Sequence, residues 1–445
     1  MTIEELAALL KEGGVVGAGG AGFPTYAKLD ARADTVILNC AECEPLLKLH
    51  RQLLEKYARE ILSAFSLIQN TVGAKEAVVG VKRAYGSTVA ALERELPSFP
   101  GMRLGLLDEV YPAGDEVVLI YETTGRTVRP GGLPIECGVC VFNAETCFNL
   151  YRALEERKPV TDKLVSIVAE VKNPVTLRLP LGVTIGEAVA LAGGATVKNP
   201  VYLVGGPMMG NIQSADAPVT KTTNAILVLP ENHYLVERRR ADPQILLKRA
   251  AASCCQCSMC TDLCPRFLLG HPVYPHLFMR AAACRDVQQP EIFVDTMFCC
   301  SCGLCEMYSC FQGLSPRTLM TAYKGGLRAA GVKAPRVEAK ETNPARENRK
   351  IPMRRLMARL DLTRYDVPAP LDEREISVKT VRVPLRQHVG APAVACVAAG
   401  DVVERGQKIA EAAKGLSVPV HAPVYGRVRE VTAQSIIIDS MQRVS

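Results

Sequence analysis

Two cysteine runs leave this chain few folds to choose from. The first is Cys254-Cys255-Gln256-Cys257-Ser258-Met259-Cys260-Thr261-Asp262-Leu263-Cys264-Pro265. The second is Cys299-Cys300-Ser301-Cys302-Gly303-Leu304-Cys305-Glu306-Met307-Tyr308-Ser309-Cys310. With Cys255 and Cys300 set aside, the first reads C-x2-C-x2-C-x3-C-P. The second reads C-x2-C-x2-C-x4-C, with Phe311 in place of the proline. The first spacing is a ligand run for paired [4Fe–4S] clusters, in which three cysteines serve one cluster and the fourth serves the other. Three thiolates two residues apart lie on a tight loop and cap one face of a cubane. The fourth opens the next helix and points away. This assigns Cys254, Cys257, Cys260 and Cys310 to one cluster, and Cys299, Cys302, Cys305 and Cys264 to the other. Structural zinc favours two separated CxxC pairs over three cysteines in series. Disulfides need an oxidising compartment, and the N-terminal MTIEELAALLKEGG lacks the basic-then-apolar layout of a signal peptide. Cys255 and Cys300 each adjoin a first ligand. They are able to substitute in register but are read as buried thiols outside the ligand set.

Composition agrees with this chemistry. Seventeen cysteines without a secretory signal point to metal and redox work. A length of 445 residues allows about three domains. No window approaches the roughly 18 apolar residues of a membrane span. The net charge of +7 suits an anionic cofactor or an acidic partner and selects neither. The absence of Trp, with 5% aromatics, weighs against stacking platforms for nucleic acid.

The N-terminal part holds a glycine loop, Gly17-Ala18-Gly19-Gly20-Ala21-Gly22-Phe23-Pro24-Thr25. A buried strand at 35–39 follows and runs into Cys40-Ala41-Glu42-Cys43-Glu44-Pro45. Glycines admit positive φ and let backbone N–H groups approach a phosphate or a flat ring. Alone the loop is a weak signal, and the strand follows it where a dinucleotide fingerprint needs the strand first. Further on come Tyr111-Pro112-Ala113-Gly114-Asp115-Glu116 and Asn143-Ala144-Glu145-Thr146. These elements, with Lys28, resemble in order the flavin-binding region of the respiratory complex I flavin subunit and of the RnfC protein of the Rnf complex. The resemblance implies a Rossmann-like domain holding FMN non-covalently, with NADH stacked above it. It implies Gly17, Gly19, Gly20, Gly22, Lys28, Asn39, Glu42, Gly114, Asp115, Glu116 and Asn143 at the flavin. Phe23 and Glu44 match positions facing the nicotinamide nucleotide. Asp115 stands where that family has Glu, and the plainer reading of Lys28 and Glu42 is surface charge.

The remaining chain divides by pattern. Helical periodicity covers 51–72 and 83–96, around a buried strand at 77–81. Cys137, Cys140 and Cys147 are read as packed thiols, with Cys137 and Cys140 as a redox pair the alternative. Strands at 164–168, 175–179 and 201–204, with a short helix at 184–193, resemble the β-grasp (SLBB) module that follows the flavin domain in the same family. That module either binds a soluble ligand or docks its neighbours, and Met208 and Met209 in its Gly205–Gly210 turn are read as packing. A helix is expected at 276–283, with Cys284 as a core thiol. Residues 331–372 read as a basic linker. Its helical turn at 352–360 is either packed on the body or open to an acidic redox partner. The last part reads as a barrel-sandwich hybrid. Its hairpin at 417–423 has no lysine at the tip, so neither lipoate nor biotin is expected. The fold class is thus α/β and β multidomain. The expected parts are 1–160 for FMN and NADH, 161–235 for the β-grasp, 240–325 for a two-cluster ferredoxin-like α-helical domain, 331–372 as linker and 373–445 as barrel.

The C-terminal barrel, which the Rnf protein carries at its N-terminus, the x4 gap in the second run and the length together resemble the cobalamin reductases of propanediol-utilising bacterial microcompartments. That resemblance implies an NADH-dependent oxidoreductase passing electrons through flavin and two clusters to cobalamin. It implies an ATP:cobalamin adenosyltransferase and shell proteins as partners, and a cytoplasmic location inside a microcompartment. Neither nucleic acid nor a membrane span is expected, and no side chain is assigned a catalytic role. The alternatives are an Rnf-type subunit exchanging electrons between NAD and ferredoxin, and a cluster-bearing scaffold that is not an enzyme. Anaerobically reconstituted protein is expected to contain about eight iron and about eight sulfide per chain; elemental analysis giving about four would remove one cluster.

Overall fold

The structure, a computed structural model, describes residues 1–442. It opens with α1 (Ile3–Glu12), which starts on a capping box. The Thr2 hydroxyl accepts from the Glu5 N–H, and the Glu5 carboxylate accepts from the Thr2 N–H. The glycine loop leads to β1 (Thr35–Asn39), α2 (Leu49–Val72), β2 (Glu76–Lys82), α3 (Gly86–Glu95), β3 (Met102–Leu107), β4 (Val110–Tyr111), α4 (Glu116–Thr124), β5 (Val139–Asn143) and α5 (Ala144–Glu155). Four of these strands form an all-parallel sheet in the order β3-β2-β1-β5. A parallel sheet is covered on both faces, which is why β1 and β2 read as near-continuous apolar runs. Where β2 passes under α4, a Cβ on Gly80 would sit 2.7 Å from the end of the Leu119 side chain, which would have to shift to admit it.

The next sheet contains β6 (Asp162–Ala169), β7 (Val175–Pro180), β8 (Pro200–Val204), β9 (Asn211–Gln213) and β10 (Ala225–Pro230), with helix α6 (Ile185–Leu191) capped by Thr184 and Glu187. Residues 331–372, expected as a linker, are strapped to the body. Within them β11 (Ile351–Pro352) pairs antiparallel with β4. The helix Met353–Arg359 buries Met353, Leu356 and Met357 and leaves Arg354 and Arg355 outside, which favours the packed reading. The segment ends in β12 (Leu371–Asp372), which adds to the second sheet beside β7, giving the order β12-β7-β6-β10-β8-β9.

The barrel is built from β13 (Thr380–Pro384), β14 (Val394–Ala395), β15 (Val402–Val403), β16 (Lys408–Glu411), β17 (Val420–His421), β18 (Gly426–Val431) and β19 (Ser435–Ser440). They form two sheets, β13-β19-β18-β15 and β14-β16-β17. The expected hairpin at 417–423 is displaced. The reversal between β16 and β17 runs over 412–419 and carries Lys414, while Ser417, Val418 and Val420 are buried. The barrel and the second sheet share one core, in which Val165, Ile167 and Leu177 lie with Val381, Val383 and Ile438. The cluster segment is helical, with Pro243–Ser253, Pro275–Cys284 and Pro316–Ala329 packed around Phe278, Met279 and Met320. Cys284, expected in this core, is exposed, because it closes the last turn of its helix at the surface. Among the described residues, no helix is long and apolar enough to cross a membrane.

One buried carboxylate ties three parts together. Asp162 accepts from Arg152 of α5 at 2.7 and 2.9 Å, from Arg178 of β7 at 3.1 Å and from Arg405 of the barrel at 3.3 Å. Burial pushes the Asp162 carboxyl up, but the Arg152 hydrogen bonds and the three guanidinium charges outweigh it and hold it well below the usual carboxylate range. Asp162→Asn leaves Arg152 buried without a counter-charge, at an expected cost of about 3–5 kcal/mol. Urea denaturation at pH 7 should show it as a lowered midpoint. An unfolded Asp titrates near about 3.9, so the difference from wild type should be full above about pH 4 and close as pH falls toward the depressed native value. Equal midpoints at pH 7 would show that the cluster carries no stability.

Candidate functional site

Every residue named from the sequence for flavin or nucleotide borders one cavity of about 410 Å³. That is a usual size for a small-ligand site (~300–1,000 Å³). The cavity lies at the C-terminal ends of the parallel strands β1 and β5, where ligands of open α/β sheets bind. Several of these residues also hold the backbone. Asn39 donates to the Gly114 carbonyl at 2.9 Å and accepts from the Ala41 N–H. Asp115 caps α4 through the N–H groups of Val117 and Val118 and takes Arg266 in a two-pronged pair at 2.7 and 3.0 Å. Asn143 caps α5. Lys28 reaches Glu116 at 3.2 Å and the Val141 carbonyl at 3.1 Å.

Two of these residues also make hydrogen bonds within the chain that the sequence did not indicate. Glu42 borders the cavity, but its carboxylate caps α2 by accepting from the N–H groups of His50 and Arg51. It is not a surface charge, because it is buried and already serves the backbone. Glu44 is half-buried at the cavity, and its carboxylate accepts from the N–H groups of Met208 at 2.8 Å and Met209 at 3.0 Å. Burial raises Glu44 to about 7 against the pull of those two N–H groups. The β-grasp turn at Met208 therefore docks on the strand end that carries Glu44. Met208 is fully buried as expected, whereas Met209 is exposed and borders the cavity.

The glycine loop fits a flat or phosphorylated ligand unevenly along its length. A Cβ on Gly20 would meet nothing within 4 Å, so that position is open. Gly19 packs on Asn143, at 2.6 Å from a built Cβ to Nδ2. Gly22 has φ +72°, and a side chain there would strike Thr222 of the β-grasp and Gln387 and His388 of the barrel. Its glycine serves the closure of three parts of the chain as much as the cavity.

The cysteines of the two runs line two small cavities, with Cys310 at the first and Cys264 at the second, as crossed ligation needs; Cys255 and Cys300 border them as well. Cys254, Cys257, Cys260 and Cys310 surround one small cavity, and Cys264, Cys299, Cys302 and Cys305 surround another. Both runs bend in the same way. Gln256 and Ser258 in the first, and Ser301 and Gly303 in the second, all have φ between 54° and 85°. These left-handed residues turn successive thiols toward one centre. The extra residue of the second run is absorbed by a single π-turn at Cys305–Ser309. N–H groups point at sulfur from Gln256 to Cys254, Ser301 to Cys299 and Leu314 to Cys310. Burial pushes Cys260 up to about 12 and raises Cys264 and Cys305 further. Thiols so placed stay protonated unless a cation sits among them, which is the environment a cluster's iron supplies. Cys255 is exposed, which corrects its reading as a buried thiol, and Cys300 is half-buried beside the second set. Cys140 and Cys147 are buried and Cys137 is half-buried, all with raised pKa values, as packed thiols should be.

Several residues of the large cavity escape sequence reasoning. Thr25, His50, Tyr111, Met209, Asn224 and Cys302 all border it. The spacing of Cys302 marks it only as a cluster ligand, yet it forms part of the flavin-side wall, where the Tyr111 hydroxyl donates to its carbonyl at 2.7 Å. Tyr111 opens a motif that does signal the region. His50 and Asn224 are single polar residues with no pattern around them.

Comparison with known proteins agrees with this layout. Residues 10–152 match the family described as Nuo51 FMN-binding domain, and residues 164–211 the SLBB domain. Residues 253–315 match the 4Fe-4S dicluster domain, and residues 370–444 the RnfC barrel sandwich hybrid domain. A cobalamin reductase PduS from Salmonella typhimurium is 42% identical over 98% of this chain and 97% of its own length. One from Citrobacter freundii is 42% identical over 96% and 95%. A subunit of the ion-translocating oxidoreductase complex from Erwinia tasmaniensis is 31% identical over 61% of this chain and 33% of its own. With 42% identity over 98% of its length, the chain belongs to the cobalamin reductase PduS family.

Proposed function

We propose that the chain is an NADH-dependent flavin/iron–sulfur reductase that delivers single electrons to cobalamin, reducing it toward cob(I)alamin. The observation that carries the reading is a shared wall, since Cys302 borders both the glycine-loop cavity and the thiol cavity of the second run. The near full-length identity to named cobalamin reductases supports the acceptor. When bound, the flavin would accept one hydride, and so an electron pair, from NADH and the clusters would carry electrons singly, which is chemistry the cofactors supply.

The chain's own part is placement. Gly17, Gly19, Gly20, Gly22, Lys28, Asn39, Gly114 and Asn143 are proposed to form the FMN seat, with Asp115 and Glu116 at its rim. Gly20 leaves the room, and Lys28 brings positive charge to the seat. Phe23, exposed at the mouth, and Glu44 are proposed to face the nucleotide. Tyr111 fixes the backbone of Cys302 against the cavity, and Arg266 ties the cap of α4 to the second thiol set, whose cavity it borders. The family likeness extends the proposal to an ATP:cobalamin adenosyltransferase and shell proteins as partners, within a microcompartment. An Rnf-type exchange between NAD and ferredoxin is the second reading; its relative matches over only 33% of that subunit's length.

Two experiments test the proposal. Gly20→Val should lower FMN affinity at least about tenfold, because its side chain enters the open seat. Flavin content after anaerobic purification reads this, and a variant with wild-type flavin would move the site elsewhere. Cys264→Ser should damage the cluster of the second run and spare the first, read by electron paramagnetic resonance. NADH should still bleach the flavin band of that variant, while cob(II)alamin reduction falls to the rate of free FMN. Loss confined to the first cluster would refute the crossed ligation. Wild-type cobalamin reduction at equal flavin content would take the second cluster off the path.

A further inference from the structure

Three residues that line the large cavity each carry a buried polar atom with no hydrogen-bond partner: Thr25 Oγ1, His50 Nε2 and Asn224 Oδ1. Thr25 is 1% exposed and His50 is 6% exposed. His50 stands between two carboxylates, 3.9 Å from Glu42 and 3.8 Å from Glu145, too far for a hydrogen bond to either. Buried polar groups are almost always satisfied, because leaving one unpaired forfeits its hydration without return. All three residues border one cavity, so a ligand bound there is the available source of the missing partners.

Asn224 comes from a different part of the chain than the other two. It ends the stretch Lys221-Thr222-Thr223-Asn224 that leads into β10. That stretch is fixed from several sides. The Lys221 ammonium donates to the Gly14 carbonyl at 2.6 Å, and the Lys221 N–H donates to Gln387 at 3.1 Å. Thr220 and Thr223 close a side-chain turn, and the Asn224 carbonyl accepts from the Ser166 N–H at 3.0 Å. Thr222 packs where a Cβ on Gly22 would lie. Asn224 is thus held rigidly against the cavity by the sheet of the β-grasp module.

We propose that Asn224, together with Thr25 and His50, hydrogen-bonds the cofactor in this cavity, so that the β-grasp module completes the flavin–nucleotide site instead of serving only as a dock. The inference rests on the reading of this cavity as the FMN seat. An amide, a hydroxyl and an imidazole each offer both donor and acceptor character. None is a fixed cation, so the trio suits uncharged groups with alternating donors and acceptors. The edge of a flavin ring or its polyol chain has that chemistry, and so does the carboxamide of a nicotinamide; phosphate does not.

The test compares wild type, Asn224→Ala and Gly20→Val as full-length, cluster-reconstituted chains stripped of flavin. FMN affinity is read by quenching of flavin fluorescence, and NAD⁺ affinity of the flavin-loaded chain by calorimetry. Asn224→Ala should weaken FMN about tenfold or more if the contact is to flavin. It should spare FMN and weaken NAD⁺ by a similar factor if the contact is to nicotinamide. Cluster absorbance and far-ultraviolet circular dichroism should stay at wild-type values. Should the alanine variant lose its clusters, Asn224→Ser, which stays polar but reaches less far, decides by the same readouts. Unchanged affinity for both ligands overturns the inference; loss of FMN in Gly20→Val beside it leaves the FMN seat standing. If Gly20→Val also keeps its FMN, the reading of the cavity fails with it.

Discussion

The buried ammonium of Lys221 is the point on which the arrangement turns. It is 2% exposed, donates to the Gly14 carbonyl at 2.6 Å and reaches the Pro419 carbonyl at 3.5 Å. One side chain of the β-grasp thereby grips the approach to the glycine loop and the barrel together. Burial lowers its pKa to about 7. His421 and His388 beside it are also held down, by burial first and then by Lys221 itself. The junction therefore keeps its charge small while filling its hydrogen bonds with carbonyls. With that point fixed, Gly22 meets Thr222 and His388, and the loop between is held over the cavity.

What the sequence made legible was what chemistry forces into fixed spacing. Cubane ligation dictates residue type and interval, so two thiol sets are readable from the chain, and each set borders its own small cavity in the structure. The glycine loop, the strand end and the two later motifs also converge on one cavity, as their order suggested. Burial of single residues was another matter. Cys255 and Cys284 are as apolar as any thiol, yet both lie at the surface, because hydropathy does not say where a turn faces. Glu42 and Glu44 carry no mark that distinguishes a helix cap or a docking carboxylate from a ligand contact. Ile351 and Pro352 pair with β4 over two residues only, too short to leave a periodicity, so a strap reads as a linker. Asn224 depends on a fold that brings the β-grasp over the flavin domain, and nothing local announces it.

The second cysteine run shows how an insertion can be absorbed without moving a ligand. A residue added before Cys310 would rotate it by about 100° along an α-helix. The π-turn at Cys305–Ser309 takes up that residue, with the Ser309 hydroxyl donating to the Leu304 carbonyl at 3.0 Å. Cys310 then still faces the cavity of Cys254, Cys257 and Cys260. The repeated left-handed residues in the two runs do the rest. The backbone bends are common to both halves, and only the exit differs.

The hold of the barrel on the glycine loop also has a consequence in time. The Tyr26 hydroxyl and the Gly415 carbonyl it reaches are 389 positions apart in the chain. During synthesis, earlier domains emerge and fold before later ones exist. The parallel sheet and its loop are therefore formed while the strands that will close over them are still untranslated. Throughout that interval the loop stands open to the cell's pool of cofactors. Strands translated late thus act as a latch on a loop translated long before them.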